Sequence, residues 1–186
     1  MSLIVLAGPA GVGKGSIVRW ILENRNDFTV SVSATTRDPR PGEVDGVHYH
    51  FVTNDQFENL IAEGRMLEWA KVHGANYYGT MRAELERAEA EDKHLLLEID
   101  LQGARQVAHL MPNAIQIFIH PPSFEELERR LRSRATETES QIQTRLETAR
   151  MELANAGEFQ YQVINENLEQ CALEILSLVR SHEGQK

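Results

Sequence analysis

The stretch "LIVLAGPAGVGKGS", Leu3–Ser16, runs from an apolar β-branched segment through a glycine-rich turn to a lysine. Leu3–Ala7 reads as a strand buried on both faces. From Lys14 the spacing turns helical, with Ile17 and Ile21 four apart. Strand, glycine turn and helix in that order are the context of a phosphate-binding loop. The spacing Gly8-x4-Gly13-Lys14 lets successive backbone N–H groups turn inward around an anion, where a β-carbon would block the approach. The helix beginning near Lys14 adds its positive end, and the lysine adds a point charge. Gly15 stands where a hydroxyl ligand for magnesium usually follows the lysine, and Ser16 comes one place later. Magnesium is then expected to be held mainly by nucleotide phosphates and water.

The rest of the chain repeats the alternation of strand-like and helix-like runs, which predicts an α/β fold with a mainly parallel sheet. "FTVSVSATT" (28–36) alternates, with Phe28, Val30, Val32 and Ala34 on one face. "HYHFV" (48–52) reads as a hairpin or edge strand, "HLLLEID" (94–100) and "IQIFIH" (115–120) as buried strands, and "YQVIN" (161–165) as a last strand. Phe57, Leu60 and Ile61 mark a short helix stopped by Gly64. Ser123 with Glu126 and Thr138 with Gln141 are capping signatures for two more helices. The final helix carries Leu168, Ala172, Ile175, Leu176 and Val179 on one stripe.

The 186 residues suit one domain. A net charge of −9 argues against a broad nucleic-acid-binding face. No leader and no membrane-length apolar run is evident, so a cytoplasmic protein without a membrane partner is expected. The single cysteine, Cys171, excludes an internal disulfide and falls in the apolar pattern of a helix. The seven histidines lack metal-ligand spacing, and no protein metal site is expected.

Three stretches speak to a phosphate acceptor. In "SATTRDPRPGEVDGVHYHF" (33–51), Arg37 and Arg40 lie three apart around a proline. Such guanidinium forks suit a phosphate monoester, although two solvated loop arginines would look the same. "EWAKVHGANYYGT" (68–80) contributes Glu68, Tyr78 and Thr80. "LEIDLQGA" (97–104) puts Glu98 and Asp100 at the end of a strand, where α/β sheets bind ligands. Taken singly, Glu68 and Asp100 are equally a surface ion pair or a helix cap.

In this order, the motifs closely resemble those of the guanylate kinases, phosphate-loop members of the nucleoside monophosphate kinases, from Ile4 to about Val179. The resemblance implies a three-layer P-loop nucleoside kinase fold with a parallel central sheet, a GMP-binding excursion and a small helical lid. It implies one domain over 1–186, with a core of 1–33, 81–124 and 150–186, a GMP-binding region at 34–80 and a lid at about 125–149. The implied activity is transfer of the γ-phosphoryl group of MgATP to GMP or dGMP, giving GDP or dGDP.

The resemblance also assigns residues. Ser33, Arg37, Arg40, Tyr49 and Tyr78 are expected at the GMP phosphate and base edge. Glu68, Thr80 and Asp100 are expected to read guanine, with Glu98 beside them. Gly8, Pro9, Ala10, Gly11, Val12, Gly13, Lys14, Gly15 and Ser16 are expected to hold ATP phosphates, with Asn165 near adenine. Lys14, Arg37 and the lid arginines Arg130, Arg134 and Arg145 are expected to serve the transfer. Ala135 replaces the family's usual glycine. Glu125–Arg129 and Glu126–Arg130 are also favourable helical ion pairs, and Arg129, Arg132 and Arg150 read as surface residues. A non-catalytic relative that binds phosphopeptides or scaffold partners is disfavoured by the intact Lys14 and glycines. A kinase for another monophosphate stays open.

Overall fold

The computed structural model describes residues 1–72, 76–133 and 138–184. In chain order they form β1 (Leu3–Ala7), α1 (Lys14–Asn24), β2 (Phe28–Val30), β3 (Ala34–Thr35), β4 (His50–Phe51) and α2 (Asn54–Ala62). Then come β5 (Met66–Val72), β6 (Asn76–Met81), α3 (Ala83–Ala90), β7 (His94–Glu98) and α4 (Leu101–Leu110). The last elements are β8 (Ile115–His120), α5 (Phe124–Ser133), α6 (Glu139–Ala154), β9 (Tyr161–Ile164) and α7 (Leu168–Glu183). One sheet has the order β2-β7-β1-β8-β9 and the other β4-β3-β6-β5. In the first, β2 pairs with β7, β1 with β8 and β8 with β9, all parallel. The protein is thus α/β with a parallel sheet at its centre.

Two compact units divide the chain: Met1–Leu3 with Asp27–Ala114, and Ile4–Asn26 with Ile115–Lys186. In the second unit, Ile4–Ala7 and Ile115–Ile119 pair without solvent exposure, apart from a trace at Gln116. Burying each such aliphatic side chain stabilises the fold by about 1.5–3 kcal/mol. Ile175, Leu176 and Val179 on α7 are buried, with Cys171 and Ala172 one turn earlier. Burial pushes the Cys171 thiol up to about 11, which keeps it protonated and inert. Leu168, the first residue of the predicted stripe, is partly exposed. Both capping signatures form: Glu126 N–H donates to Ser123 Oγ, and Thr138 and Gln141 bond reciprocally.

The first unit holds the β2/β7 ladder and the second sheet. Its small core joins Ala34, Phe57 and Met66 to Val52, Leu60, Ile61, Trp69, Tyr77 and Met81. Tyr77 lies stacked on Phe57 at 5.1 Å and edge-on to Trp69 at 5.8 Å.

One expectation needs correction here. "FTVSVSATT" is not one strand but two, β2 and β3, in different sheets. The ladder fails at Val32, whose N–H donates to the buried carboxylate of Glu84 on α3 instead of a neighbouring strand. "HYHFV", read as a hairpin or an edge strand, is an edge strand of the second sheet. A turn closed by Gly46 N–H to Tyr49 O leaves only His50–Phe51 to pair, parallel to β3. The antiparallel pair β5/β6 and helix α3 had no clear periodic signal in the sequence.

Candidate active site

The glycine loop belongs to the second unit. Gly8 and Gly13 have φ of 145° and 104°, in the region that favours glycine. A β-carbon on Gly8 would overlap the Ile119 carbonyl oxygen, and one on Gly13 would stand 2.5 Å from Asn165 Nδ2. Gly13 caps α1 without a side-chain hydrogen bond, so no cap side chain competes with an anion for the first-turn N–H groups. Lys14 folds back over the loop, its Nζ donating to the carbonyls of Gly8 (2.5 Å) and Pro9 (3.5 Å). Gly15 and Ser16 are exposed in the first turn of α1.

Asn165, expected near adenine, is buried, and its Nδ2 donates to Val12 O at 2.7 Å. Its own N–H donates to His120 O, so the end of β9 is fixed to β8 and braces the loop. Arg130 reaches the same loop from α5: Nη1 donates to Val12 O and Nη2 to Asn165 O, both at 3.3 Å. Glu126 takes Arg130 Nε at 2.8 Å, as the helical spacing predicts. Arg129 commits Nε and Nη2 to Glu126 as well, one residue on from its expected partner Glu125. Arg132 pairs with Glu128 on its own helix and ties α5 to α6 through Glu139, and Arg150 lies over the Phe124 ring at 4.5 Å. Arg145 is half-buried on α6. Arg134 and Ala135 lie outside the described residues.

The expected GMP residues lie in the first unit, and the strand period of two sorts them. Tyr78 and Thr80 share one face of β6, while Tyr77 and Met81 turn to the core. Glu68 is directly opposite Thr80 in the β5/β6 register, so both belong to the same face. Glu68 is only 4% exposed. Its Oε1 and Thr80 Oγ1 are buried and neither makes a well-formed hydrogen bond, although Thr80 lies close enough to Glu68 to interact with it. Native proteins rarely leave such atoms unpaired, so the pair calls for a ligand that donates to one and complements the other. Burial pushes the Glu68 carboxyl up to about 7; the nearby Thr80 opposes that rise and Asp100 adds to it.

Asp100 is a helix cap: it precedes α4, and its Oδ1 accepts from Gly103 N–H at 2.8 Å. Glu98 ends β7 with its side chain exposed. Ser33 is held on both sides, by the bond from Val32 N–H to Glu84 and by His50 N–H donating to its carbonyl. Thr35 is buried, donates to Tyr77 O and accepts from Arg37 N–H, which fixes the start of the arginine loop. The Arg37 guanidinium lies near the rings of Tyr49 and Phe51, 5.5 and 5.8 Å from their centroids. Tyr49 meets Tyr78 edge-on at 6.1 Å, and burial raises its hydroxyl pKa. Arg40 is exposed, its backbone N–H donating to Glu43.

Sequence reasoning passed over Glu43, which bonds Arg37 and lies only three residues beyond Arg40. It also passed over Glu84, whose carboxylate receives Val32 N–H and Arg87. The signal for Glu84 was slight: one acid in an acidic helix. Among the described residues, no group of three or more His, Cys, Asp and Glu could hold a metal ion, and no helix is long and apolar enough to cross a membrane.

The family model described as guanylate kinase matches residues 1–182. A guanylate kinase of Leifsonia xyli subsp. xyli is 52% identical over 95% of this chain and 70% of its own. One of Synechocystis is 49% identical over 97% of this chain and 94% of its own. The crystal structure of guanylate kinase from Anaplasma phagocytophilum superposes with a TM-score of 0.77 at 35% identity, over 97% of this chain and 85% of that one. With a family match over nearly its full length and a fold to suit, the chain belongs to the guanylate kinase family.

Proposed function

We propose that the chain carries out the ATP-dependent phosphorylation of GMP and dGMP with the residues named above. The observation that carries the reading is the buried Glu68 carboxyl, its Oε1 without a well-formed hydrogen bond, opposite Thr80 on the β5/β6 face. Guanine presents N1–H and the 2-amino group as donors to a carboxylate and O6 as an acceptor for a hydroxyl. Adenine lacks those donors and reverses the polarity at position 6. A buried site left unpaired in that way rejects the wrong base by roughly 10⁴. Asp100, whose Oδ1 is taken by the helix cap, adds a second acceptor beside Glu68.

Arg37 and Arg40 hold the acceptor phosphate, with Tyr49, Tyr78 and Ser33 around it. An oxygen of that phosphate is already anionic near neutral pH, so attack on the γ-phosphorus needs no general base. The work left to the protein is alignment and neutralisation of charge. Lys14 and the N–H groups from Gly8 to Ser16 hold the donor phosphates, and Arg130, Arg134 and Arg145 neutralise the transferring group. Magnesium enters as part of the MgATP substrate. The donor set fits that role: the first turn of α1 offers only the exposed Ser16 hydroxyl, so phosphates and water fill the ion's other positions. With free nucleotides as its substrates, the reading places the enzyme in the cytoplasm.

A coupled assay with MgATP and a panel of GMP, dGMP, AMP, CMP and UMP tests the reading. GDP and dGDP formation is expected. No turnover at high enzyme concentration would sink it, and a preference for AMP, CMP or UMP would overturn the guanine assignment of Glu68.

A further inference from the structure

β5 ends the second sheet, so among the described residues one side of its backbone has no strand to pair with. At Trp69 a side chain takes that place. Gln106 on α4 accepts from Trp69 N–H through Oε1 at 3.2 Å, and its Nε2 donates to Trp69 C=O at 2.7 Å. The same Nε2 reaches the Gln102 carbonyl at 3.4 Å, which fits the orientation of the amide. The side-chain amide does for Trp69 what a neighbouring strand would. The amide does both from two separate atoms, whereas a carboxylate accepts without donating and an aliphatic chain does neither.

The residue before Trp69 is Glu68. A β-carbon on Gly103 would stand 2.5 Å from Glu68 Oε2, so the carboxyl lies directly against α4 where the helix lacks a side chain. Three residues on, Gln106 grips the adjacent backbone. Helix α4 therefore supports Glu68 twice: by leaving room for its head at Gly103 and by fixing its strand at Gln106. Between Met66 and Glu68 the β5/β6 register shifts, so the ladder itself locates Glu68 less firmly than a regular one would.

We propose that Gln106 is a specificity-positioning residue, which fixes β5 through Trp69 so that the Glu68 carboxylate meets the N1–H and 2-amino edge of guanine. The inference rests on the guanine-reading role proposed for Glu68. Gln106 acts through Glu68 and has no part in holding ATP.

The test compares Gln106→Met, which keeps length and packing but removes both bonds, with wild type and Glu68→Gln. GMP and inosine 5′-monophosphate differ only in the 2-amino group, so the ratio of their kcat/KM values reads the contact to that group. GMP binding without ATP is followed by tryptophan fluorescence in a Trp20→Phe background, where Trp69 is the remaining tryptophan of the two. Gln106→Met is expected to weaken GMP binding and shrink the GMP-to-inosinate preference by about tenfold or more, with KM for ATP changed less than twofold. An unchanged preference in Gln106→Met, with Glu68→Gln having lost it, overturns the inference and leaves the Glu68 reading standing. An unchanged preference in Glu68→Gln overturns that reading, and this inference with it. Equal losses for both monophosphates, or a parallel rise in KM for ATP, reveal a purely structural role and also overturn the inference. If Gln106→Met fails to fold, Gln106→Glu, which keeps the acceptor for Trp69 N–H, is held to the same outcomes.

Discussion

Arg37 Nη2 donates to Glu43 Oε1 at 2.9 Å, while Nη1 donates to the Asp38 carbonyl at 2.6 Å. The arginine proposed for the acceptor phosphate is thus already seated, with a carboxylate across one edge of its fork. The Arg37 side chain and the Arg40 backbone hold the Glu43 carboxyl down to about 2, so the pair stays ionised throughout any practical assay range. Replacing Arg37 with lysine keeps the charge and loses the fork. We expect Arg37→Lys to raise KM for GMP by about 10- to 100-fold, the worth of a charge-assisted bond, with KM for ATP near wild type. Steady-state kinetics with each substrate varied in turn checks this; equal rises in both constants count against it.

Glu68 links stability to pH. Its carboxyl rises from the usual 4.5 to about 7 on folding, so between those values the folded chain binds the extra proton. Stability from this group is therefore full below pH 4.5 and is lost as pH rises through 7. The loss is on the order of 3 kcal/mol for a shift of this size. Glu68→Gln cannot titrate there and should show a flatter melting temperature between pH 5 and pH 8. A wild-type pH profile parallel to that of the variant would refute the linkage.

GMP binding should read the same proton. The guanine donors need an ionised carboxylate, so binding near pH 6.5 should release protons from Glu68. Calorimetry in buffers of different ionisation enthalpy measures this directly. Glu68→Gln should abolish that release, leaving only the part due to the nucleotide's own phosphate.

Lys14→Ala should abolish measurable turnover, a loss of at least about 10³-fold if the amine neutralises the transferring phosphoryl group. The fold should survive, because the hydrogen bonds from the amine to the Gly8 and Pro9 carbonyls lie within the loop and join no two elements of the core. Circular dichroism together with the coupled assay decides, and rates near wild type would remove the loop from the mechanism.

Gly8→Ala should destabilise by about 2–3 kcal/mol, from a positive φ and overlap with backbone that cannot move aside. For a chain of this size that is a melting-temperature drop of about 5–10 °C. A drop under a degree would mean that the loop relaxes freely.

Much of this architecture was legible because its signals are local. Capping residues at Ser123 and Thr138 set the starts of α5 and α6, and apolar runs set β1, β7 and β8. The glycine turn was legible for the same reason. The break after Val30 was not, because it depends on Glu84, a carboxylate 52 residues away that claims the Val32 N–H. The β5/β6 pair was hidden because Tyr78 and Thr80 occupy one face of a strand whose other face packs on Phe57. Short alternation of that kind looks like a loop until its partner is known. Glu68 and Asp100 could be singled out by motif order alone. That one is nearly sealed from solvent, while the other has an oxygen committed to a helix cap, follows only from tertiary placement.

The bond from Asn165 Nδ2 to Val12 O joins residues 153 apart in the chain. Synthesis proceeds from the amino end, so the glycines emerge from the ribosome long before the amide that braces them. A nascent chain that has been translated only through α6 carries Lys14 and its turn without their brace. Bracing of the glycine loop is therefore a late event in the making of this protein, and a chain cut short before β9 would carry the motif without its brace.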